Sequence, residues 1–164
     1  MFSDFNKMLP ESRIWIYQAD TQLTDNQVVM IENYLKPAIE KWTTHGSALL
    51  ASAKVLHHRF VIVALDESNY PASGCSIDAS THWLRELGAE LKIDFFDRSI
   101  AYLDNDEIKT ISPFQIKQKV QMGIVSPQTV VFLNNVNSFS DLFKTWKNQA
   151  AETYLKKYFV GQAV

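Results

Sequence analysis

Short apolar runs alternate with amphipathic stretches along the chain. Residues 14–17 are apolar and β-prone, so they predict a first strand. Residues 49–55 alternate between apolar and more polar positions, which is typical of a half-buried second strand. The run 60–65 is apolar at every position, so it predicts a third strand that is central and covered on both faces. Residues 57–59 are expected to form the turn of a hairpin between the second and third strands.

Two amphipathic stretches predict long helices. A capping box at Thr24 and Gln27 opens the first helix, because each side chain can bond the backbone amide of the other residue. Apolar positions then recur at helical spacing up to Trp42, and Gly46 is expected to terminate the helix. The second helix is predicted from about Ser76 to Leu91, with Ser76 available as its cap.

The last part of the chain repeats this alternation. A hairpin is predicted over residues 95–111, a short helix from a capping box at Ser112 to Gly123, and a strand over residues 129–133. A final helix is predicted from apolar residues at helical spacing: Phe139, Leu142, Phe143, Trp146, Ala150, Tyr154 and Tyr158.

The order of elements is therefore β-α-β-β-α-β-β-α-β-α. Its first part matches the split β-α-β-β-α-β, or ferredoxin-like, unit. The sequence predicts a single α+β domain over residues 1–164, in layers around a largely antiparallel mixed sheet. An extra hairpin, strand and helices would extend the ferredoxin-like unit.

This topology predicts a cluster of chemistry-bearing residues at one edge of the sheet. The second strand starts and the third strand ends there, which would place His45 and Glu67 close to residues 73–78. Asp20, at the end of the first strand, is expected at the opposite edge. A metal site that combines Asp20 with Glu67 is therefore disfavoured.

The segment Ser73-Gly74-Cys75-Ser76 has three interpretations. Small residues at a helix N-terminus favour an anion, which predicts a ligand site at Ser73, Gly74, Ser76, Asp78 and Glu67. The same position favours a thiolate, so Cys75 is a candidate nucleophile with His45 as its base. Alternatively, Ser76 caps the helix, Gly74 makes a turn and Cys75 packs as a small apolar residue.

Composition narrows the class of protein. The net charge is −2, which gives no indication of nucleic acid or of an anionic membrane as a partner. A single cysteine excludes an internal disulfide framework and favours a reducing compartment. Residues 1–13 contain no apolar signal segment, and the longest apolar run, six residues, is too short to span a membrane. We expect a cytoplasmic protein.

Charge and aromatic residues together suggest a homodimer. Residues 1–108 carry nine basic and sixteen acidic side chains, whereas residues 109–164 carry seven basic and two acidic ones. Opposite charges of this kind can meet between two copies. The final helix has more aromatic residues than one small domain needs, and leftover apolar surface often marks an interface.

Several catalytic motifs are absent. The sequence has no phosphate-binding loop, no dinucleotide-binding glycine motif, no zinc-protease motif and no nucleophile elbow. No cofactor or metal is predicted, and without a phosphate loop we expect no nucleotide binding of that kind.

Three segments resemble a known family: 15–20, 42–46 and 72–78. The chain resembles, over most of its length, an uncharacterised family of proteins from Bacteroidetes-type bacteria whose members often carry the automatic label "ABC transporter ATPase". The resemblance implies no activity, fold or catalytic residue.

Three functions therefore follow from the sequence. The leading one is a non-catalytic module that binds a small anionic ligand or an acidic partner group at the edge with His45, Glu67 and residues 73–78. The second is a thiol-dependent enzyme with Cys75 as nucleophile and His45 as base. The third is an interaction protein that acts through its aromatic C-terminal helix.

Overall fold

The central strand expected from the apolar run 60–65 is present. In this computed structural model, which describes residues 1–161, β5 (Phe60–Asp66) lies between β1 (Arg13–Gln18) and β4 (Leu50–Leu56). Both neighbours run antiparallel to it. Each residue from Phe60 to Leu65 is fully buried, so both faces of the strand are covered, as predicted.

The chain has an α+β fold with antiparallel sheets, which confirms the predicted fold class. The ferredoxin-like detail is not confirmed. In a split unit the third strand lies between the first and the second and is antiparallel to both, and the fourth strand pairs with the first. The order β1-β5-β4 matches the first three strands of such a unit. The next strand, β6 (Ile100–Asp104), belongs to a different sheet.

Two compact units divide the chain. The first comprises Met1–Asp97 and Asn134–Asp141, and the second comprises Arg98–Leu133 and Leu142–Val164, of which residues up to 161 are described. The single domain predicted for residues 1–164 stays a prediction.

The helices of the first unit are α1 (Asp25–Glu40) and α2 (Gly74–Leu91). Thr24 and Gln27 form the predicted capping box, and α1 packs against β4 with Ile31, Leu35 and Ile39 buried. These residues join one hydrophobic core with Leu84 and Leu87 of α2 and with Ala51, Ala53, Val55, Val61, Val63 and Leu65 of the sheet. The two helices therefore cover one face of the three-stranded sheet.

Two predicted helix ends differ from the structure. α1 ends at Glu40, and Gly46 instead lies, with a φ of 82°, in the turn between β2 (Thr43–Thr44) and β3 (Ser47–Ala48). The N-cap of α2 is Ser73 rather than Ser76, because both serines form a reciprocal capping box. The earlier serine takes the extended backbone conformation that an N-cap requires.

The second unit holds a four-stranded sheet in the order β7-β6-β8-β9. The predicted hairpin is β6 with β7 (Glu107–Ile111), and the predicted short helix is a 3₁₀ turn followed by α3 (Ile116–Gln121). β8 (Val130–Phe132) is the last predicted strand.

The predicted final helix is wrong. The segment begins with one turn of helix, α4 (Asp141–Lys144), and continues as β9 (Lys147–Gln149) and two 3₁₀ stretches, Ala150–Glu152 and Tyr154–Phe159. β9 pairs with β8, so main-chain bonding to a distant strand replaces local helical bonding. The apolar residues divide accordingly: Phe139, Leu142, Trp146 and Ala150 are buried, Phe143 and Tyr154 are exposed, and Tyr158 is half-buried. An interaction surface built on one aromatic helix is therefore not formed, and the homodimer stays a prediction.

Candidate functional site

The loops on either side of the β4–β5 hairpin leave the same end of the sheet. Leu50, at the start of β4, pairs with Asp66, at the end of β5. The β2–β3 hairpin precedes this end, α2 follows it, and β2 contacts α2. The predicted common edge is therefore present. Asp20 follows Gln18, which pairs with Phe60 at the other end of β5, so its predicted position at the opposite edge is also confirmed.

A groove opens at this edge between the end of α1 and the first turns of α2. Its volume is about 430 Å³. The residues that line it are Ala38, Lys41, Trp42, Thr43, Cys75, Ser76, Ala79 and Trp83, and we call it the Cys75 groove. Cys75 is exposed, so its thiol is not the buried packing group of the third interpretation.

The wall of the Cys75 groove is aromatic. Trp42 is buried, and its ring meets the half-buried Trp83 edge to face at 5.1 Å between centroids. The indole nitrogen of Trp42 donates a hydrogen bond of 2.9 Å to the carbonyl oxygen of Ser76. This bond joins the end of α1 to the first turn of α2 and so fixes the position of Cys75 in the groove.

The charge of the groove is positive. Lys41 is the one charged residue among the described residues that line it. Within residues 1–161, Lys41 forms no ion pair or hydrogen bond through its ammonium group. The first turn of α2 adds the partial positive charge of a helix N-terminus. A cation without a partner therefore stands beside an apolar surface and a thiol.

The predicted ligand residues are only partly brought together. The hydroxyl of Ser76 is used within the capping box, because it accepts from the amide of Ser73 at 2.7 Å and donates to its carbonyl at 2.8 Å. The hydroxyl of Ser73 in turn accepts from the amide of Ser76 at 3.2 Å. Gly74 and Asp78 are exposed. Glu67 bonds the amide of Ala72 and pairs with Arg13, so its carboxylate belongs to the neighbouring loop.

His45 stands apart from the thiol. It is exposed in the β2–β3 turn with a φ of 49°, and it does not line the Cys75 groove. No hydrogen bond joins it to Cys75 in the described part of the chain. The role of His45 as a base stays a prediction.

Sequence reasoning missed Lys41 and the part that Trp42 and Trp83 play in the groove. Both tryptophans lie at positions where the helical pattern predicts core residues. That pattern does not indicate that the Trp83 ring is only half-buried. The signal that was available is the Lys41-Trp42-Thr43 sequence at the point where the helical pattern of α1 ends.

A second polar contact joins α1 to α2 one turn further from the groove. The hydroxyl of Tyr34 donates a hydrogen bond to the carboxylate of Glu86. Burial, this bond and the charges of Glu86 and Glu90 raise the pKa of Tyr34 to about 12 from 10.0. The same bond lowers the pKa of Glu86.

We expect this contact to make stability depend on pH in alkaline solution. A raised pKa favours the neutral phenol in the folded state, so its stabilisation is complete below pH 10.0 and is lost as the pH rises towards about 12. Glu86→Gln removes the negative charge and is expected to lower the pKa of Tyr34. Titration of tyrosinate absorbance in the wild type, Glu86→Gln and Tyr34→Phe measures this change. If the tyrosinate titration at high pH is the same in Glu86→Gln as in the wild type, the contact with Glu86 does not raise the pKa of Tyr34.

Among the described residues, no group of three or more His, Cys, Asp or Glu side chains is placed to hold a metal ion. Within the same part of the chain, no helix has both the length and the apolar character needed to cross a bilayer.

Comparison of the chain with protein-family models, curated proteins and solved structures finds no match. The family resemblance of segments 15–20, 42–46 and 72–78 therefore stays a prediction. The function of the chain is therefore inferred from the residues and geometry of the site.

Proposed function

We propose that this chain is a non-catalytic binding module that holds a small organic anion in the Cys75 groove. The observation that carries the proposal is the charge of the lining residues. Lys41 is the one charged side chain among the described residues that line the groove, and no carboxylate lines it, although the chain as a whole has a net charge of −2. An acidic protein that keeps one lysine unpaired in a groove supplies a place for a negative charge.

The rest of the lining suits the remainder of such a ligand. Trp83 is half-buried and Ala38 and Ala79 add apolar surface, so a flat apolar group can lie against them while its anionic group faces Lys41. A volume of about 430 Å³ is within the range of small-molecule sites. This ligand differs from the one expected from the sequence, because Lys41 and Trp83 replace Glu67 and Asp78 as its contacts.

The single cysteine provides the test. Cys75 is the one thiol of the chain and lies in the groove, so its rate of alkylation reports the local potential. Iodoacetate is an anion and iodoacetamide is neutral. The rate with iodoacetate divided by the rate with iodoacetamide therefore reports the charge near the thiol, because the accessibility of the thiol affects both rates alike. A unit charge at about 6 Å in a water-like medium contributes on the order of 0.7 kcal/mol, or about threefold in rate. We expect the native protein to show a ratio about threefold higher than the chain unfolded in urea.

Two lysine variants decide which charge is responsible. Lys41→Gln is expected to return the ratio to that of the unfolded chain. Lys36→Gln is the matched control, because Lys36, like Lys41, is exposed, but it lies on α1 and does not line the Cys75 groove. Equal ratios in native and unfolded protein, or a ratio insensitive to Lys41→Gln, would exclude an anion site here.

A further inference from the structure

The second unit has a local excess of positive charge. The sequence contains no acidic residue between Glu107 and Asp141, although the whole chain has more acidic than basic residues. α3 and the 3₁₀ stretch Tyr154–Phe159 each carry two lysines, and none of the four forms an ion pair within residues 1–161. The four are Lys117, Lys119, Lys156 and Lys157.

These two elements lie side by side on the core of the second unit. α3 contacts the stretch Tyr154–Phe159, and Ile116 and Val120 of α3 share one hydrophobic core with Leu155. Since these apolar residues turn inward, the opposite sides of both elements face solvent. Three of the four lysines are exposed and the other is half-buried. The segments 113–125 and 150–161 hold a single acidic residue, Glu152, so together they carry a net positive charge.

Large apolar side chains are exposed on the same two segments. Phe114 is 98% exposed, Val160 is 79% exposed and Met122 is 61% exposed. Tyr154 and Ile124 are also exposed. Single exposed apolar residues are common, but a group of them on two neighbouring elements marks a surface that contacts a partner.

The backbone that carries the α3 side of this surface is fixed at both ends. The hydroxyl of Ser112 accepts from the amide of Phe114 at 3.4 Å at the start of the helical segment. At the other end Gly123 has a φ of 77°, and the amide of Ile124 donates to the carbonyl of Lys119 at 3.0 Å, as in a glycine-terminated helix. The exposed side chains therefore project from a defined turn and helix.

The residue types indicate which partner fits. Arginine is enriched and lysine depleted at protein–protein interfaces, and arginine also matches phosphate with a pair of hydrogen bonds. The segments 113–125 and 150–161 contain four lysines and no arginine. Lysine combined with exposed aliphatic and aromatic side chains is typical of proteins that bind an anionic membrane surface.

We propose that the surface formed by α3 and the stretch Tyr154–Phe159 binds an anionic lipid membrane. Phe114 and Met122 enter the boundary between the lipid head groups and the acyl chains, and the lysines lie against the negative head groups. Because few side chains insert, the contact is peripheral and reversible. This surface shares no residue with the Cys75 groove and goes beyond the function proposed above.

The test is co-sedimentation of the full-length protein with lipid vesicles. One set contains phosphatidylcholine and phosphatidylglycerol in equal amounts, and the other contains phosphatidylcholine alone. We expect binding to the anionic vesicles to be at least about tenfold tighter, since each lysine near a negative surface contributes about fivefold. Added salt is expected to weaken this binding, because it screens exposed charges.

Two variants separate insertion from charge. Phe114→Ser is expected to lower the partition constant for anionic vesicles about tenfold, because a large apolar side chain no longer leaves water. Its side chain is 98% exposed, so the substitution removes no packing from the fold. Lys117→Gln is expected to lower the same constant about fivefold.

α4 supplies matched controls for both variants. Phe143→Ser and Lys144→Gln change the same residue types at exposed positions outside the two segments, and we expect both to leave vesicle binding unchanged. The proposal is overturned if the protein does not bind anionic vesicles, or if it binds phosphatidylcholine alone equally well. It is also overturned if Lys117→Gln weakens binding and Phe114→Ser does not, because the surface then recognises charge alone, as for a nucleic acid or an acidic protein. The alkylation of Cys75 is measured without vesicles, so the two sites are tested independently.

Discussion

Gly88→Ala is expected to lower the free energy of unfolding by at least about 2 kcal/mol. A β-carbon at Gly88 would lie 2.5 Å from the carbonyl oxygen of Ile93 and 3.6 Å from the ring of Phe95. The obstacle at 2.5 Å is backbone, so relief requires α2 and the segment after it to move apart. That segment is fixed there, because the amide of Ile93 donates to the carbonyl of Gly88 at 3.0 Å.

The matched control is the other glycine of the same helix. Gly74→Ala places its β-carbon in open space, and Gly74 has no positive φ. We expect Gly74→Ala to be neutral or to stabilise the protein by about 0.4–1 kcal/mol, since alanine restricts the unfolded chain. Urea unfolding of both variants measures the difference. If Gly88→Ala is as stable as the wild type, the segment with Ile93 and Phe95 can move away from α2 without loss of stability, and the prediction is wrong.

The same contrast bears on the anion site expected from the sequence. Gly74 was expected to be small so that a ligand could approach the backbone. The structure places nothing within 4 Å of the β-carbon position, so space alone does not require glycine there. Gly88, which no functional argument singled out, is the glycine whose size the packing restricts.

Local chemistry predicted the elements of the first unit well. The capping box at Thr24 depends on two residues that are three positions apart. The turn at residues 57–59 depends only on the residues next to it in the sequence. His57 and His58 both take positive φ values there, of 55° and 50°, as a tight hairpin requires. Such features form from short-range contacts, which is why the sequence indicates them.

Pairing between strands was harder to predict. The split-unit topology correctly predicted that β1 lies antiparallel to β5, but it also placed the next strand in the same sheet, whereas β6 pairs with β7 and β8 in a separate sheet. The polar β9 carries no apolar period at all and becomes a strand only because β8 offers an open edge. Apolar residues around it at helical spacing therefore predicted a helix that does not form.

The Cys75 groove has one side that the sequence predicts and one side that it does not. Its α2 side, Cys75 and Ser76, was predicted from the sequence of a helix start, and the structure places both residues in the groove. Its other side comes from the end of α1, and the packing of the two helices brings Lys41 and Trp42 there. Periodicity assigns Trp42 to the core, which is correct, but it gives no indication that its neighbour Lys41 faces the same groove.

Trp42→Ala is expected to lower the free energy of unfolding by about 3–5 kcal/mol. The side chain is 3% exposed, and its ring contacts Trp15 and Trp83 at centroid distances of 6.4 and 5.1 Å. Truncation leaves a cavity between α1 and α2 and also removes the hydrogen bond to the carbonyl of Ser76. Both losses act on the same contact between the two helices.

Two further variants separate packing from hydrogen bonding at this position. Trp42→Phe keeps much of the ring but no donor, so we expect a smaller loss, of which the hydrogen bond accounts for about 0.5–1.5 kcal/mol. Trp83→Ala is expected to cost less than Trp42→Ala, because Trp83 is half-buried and makes no comparable hydrogen bond among the described residues. Urea unfolding ranks the three variants. If Trp83→Ala destabilises the protein as much as Trp42→Ala, Trp83 is a core residue, and the apolar wall assigned to the ligand in the Cys75 groove belongs to the fold instead.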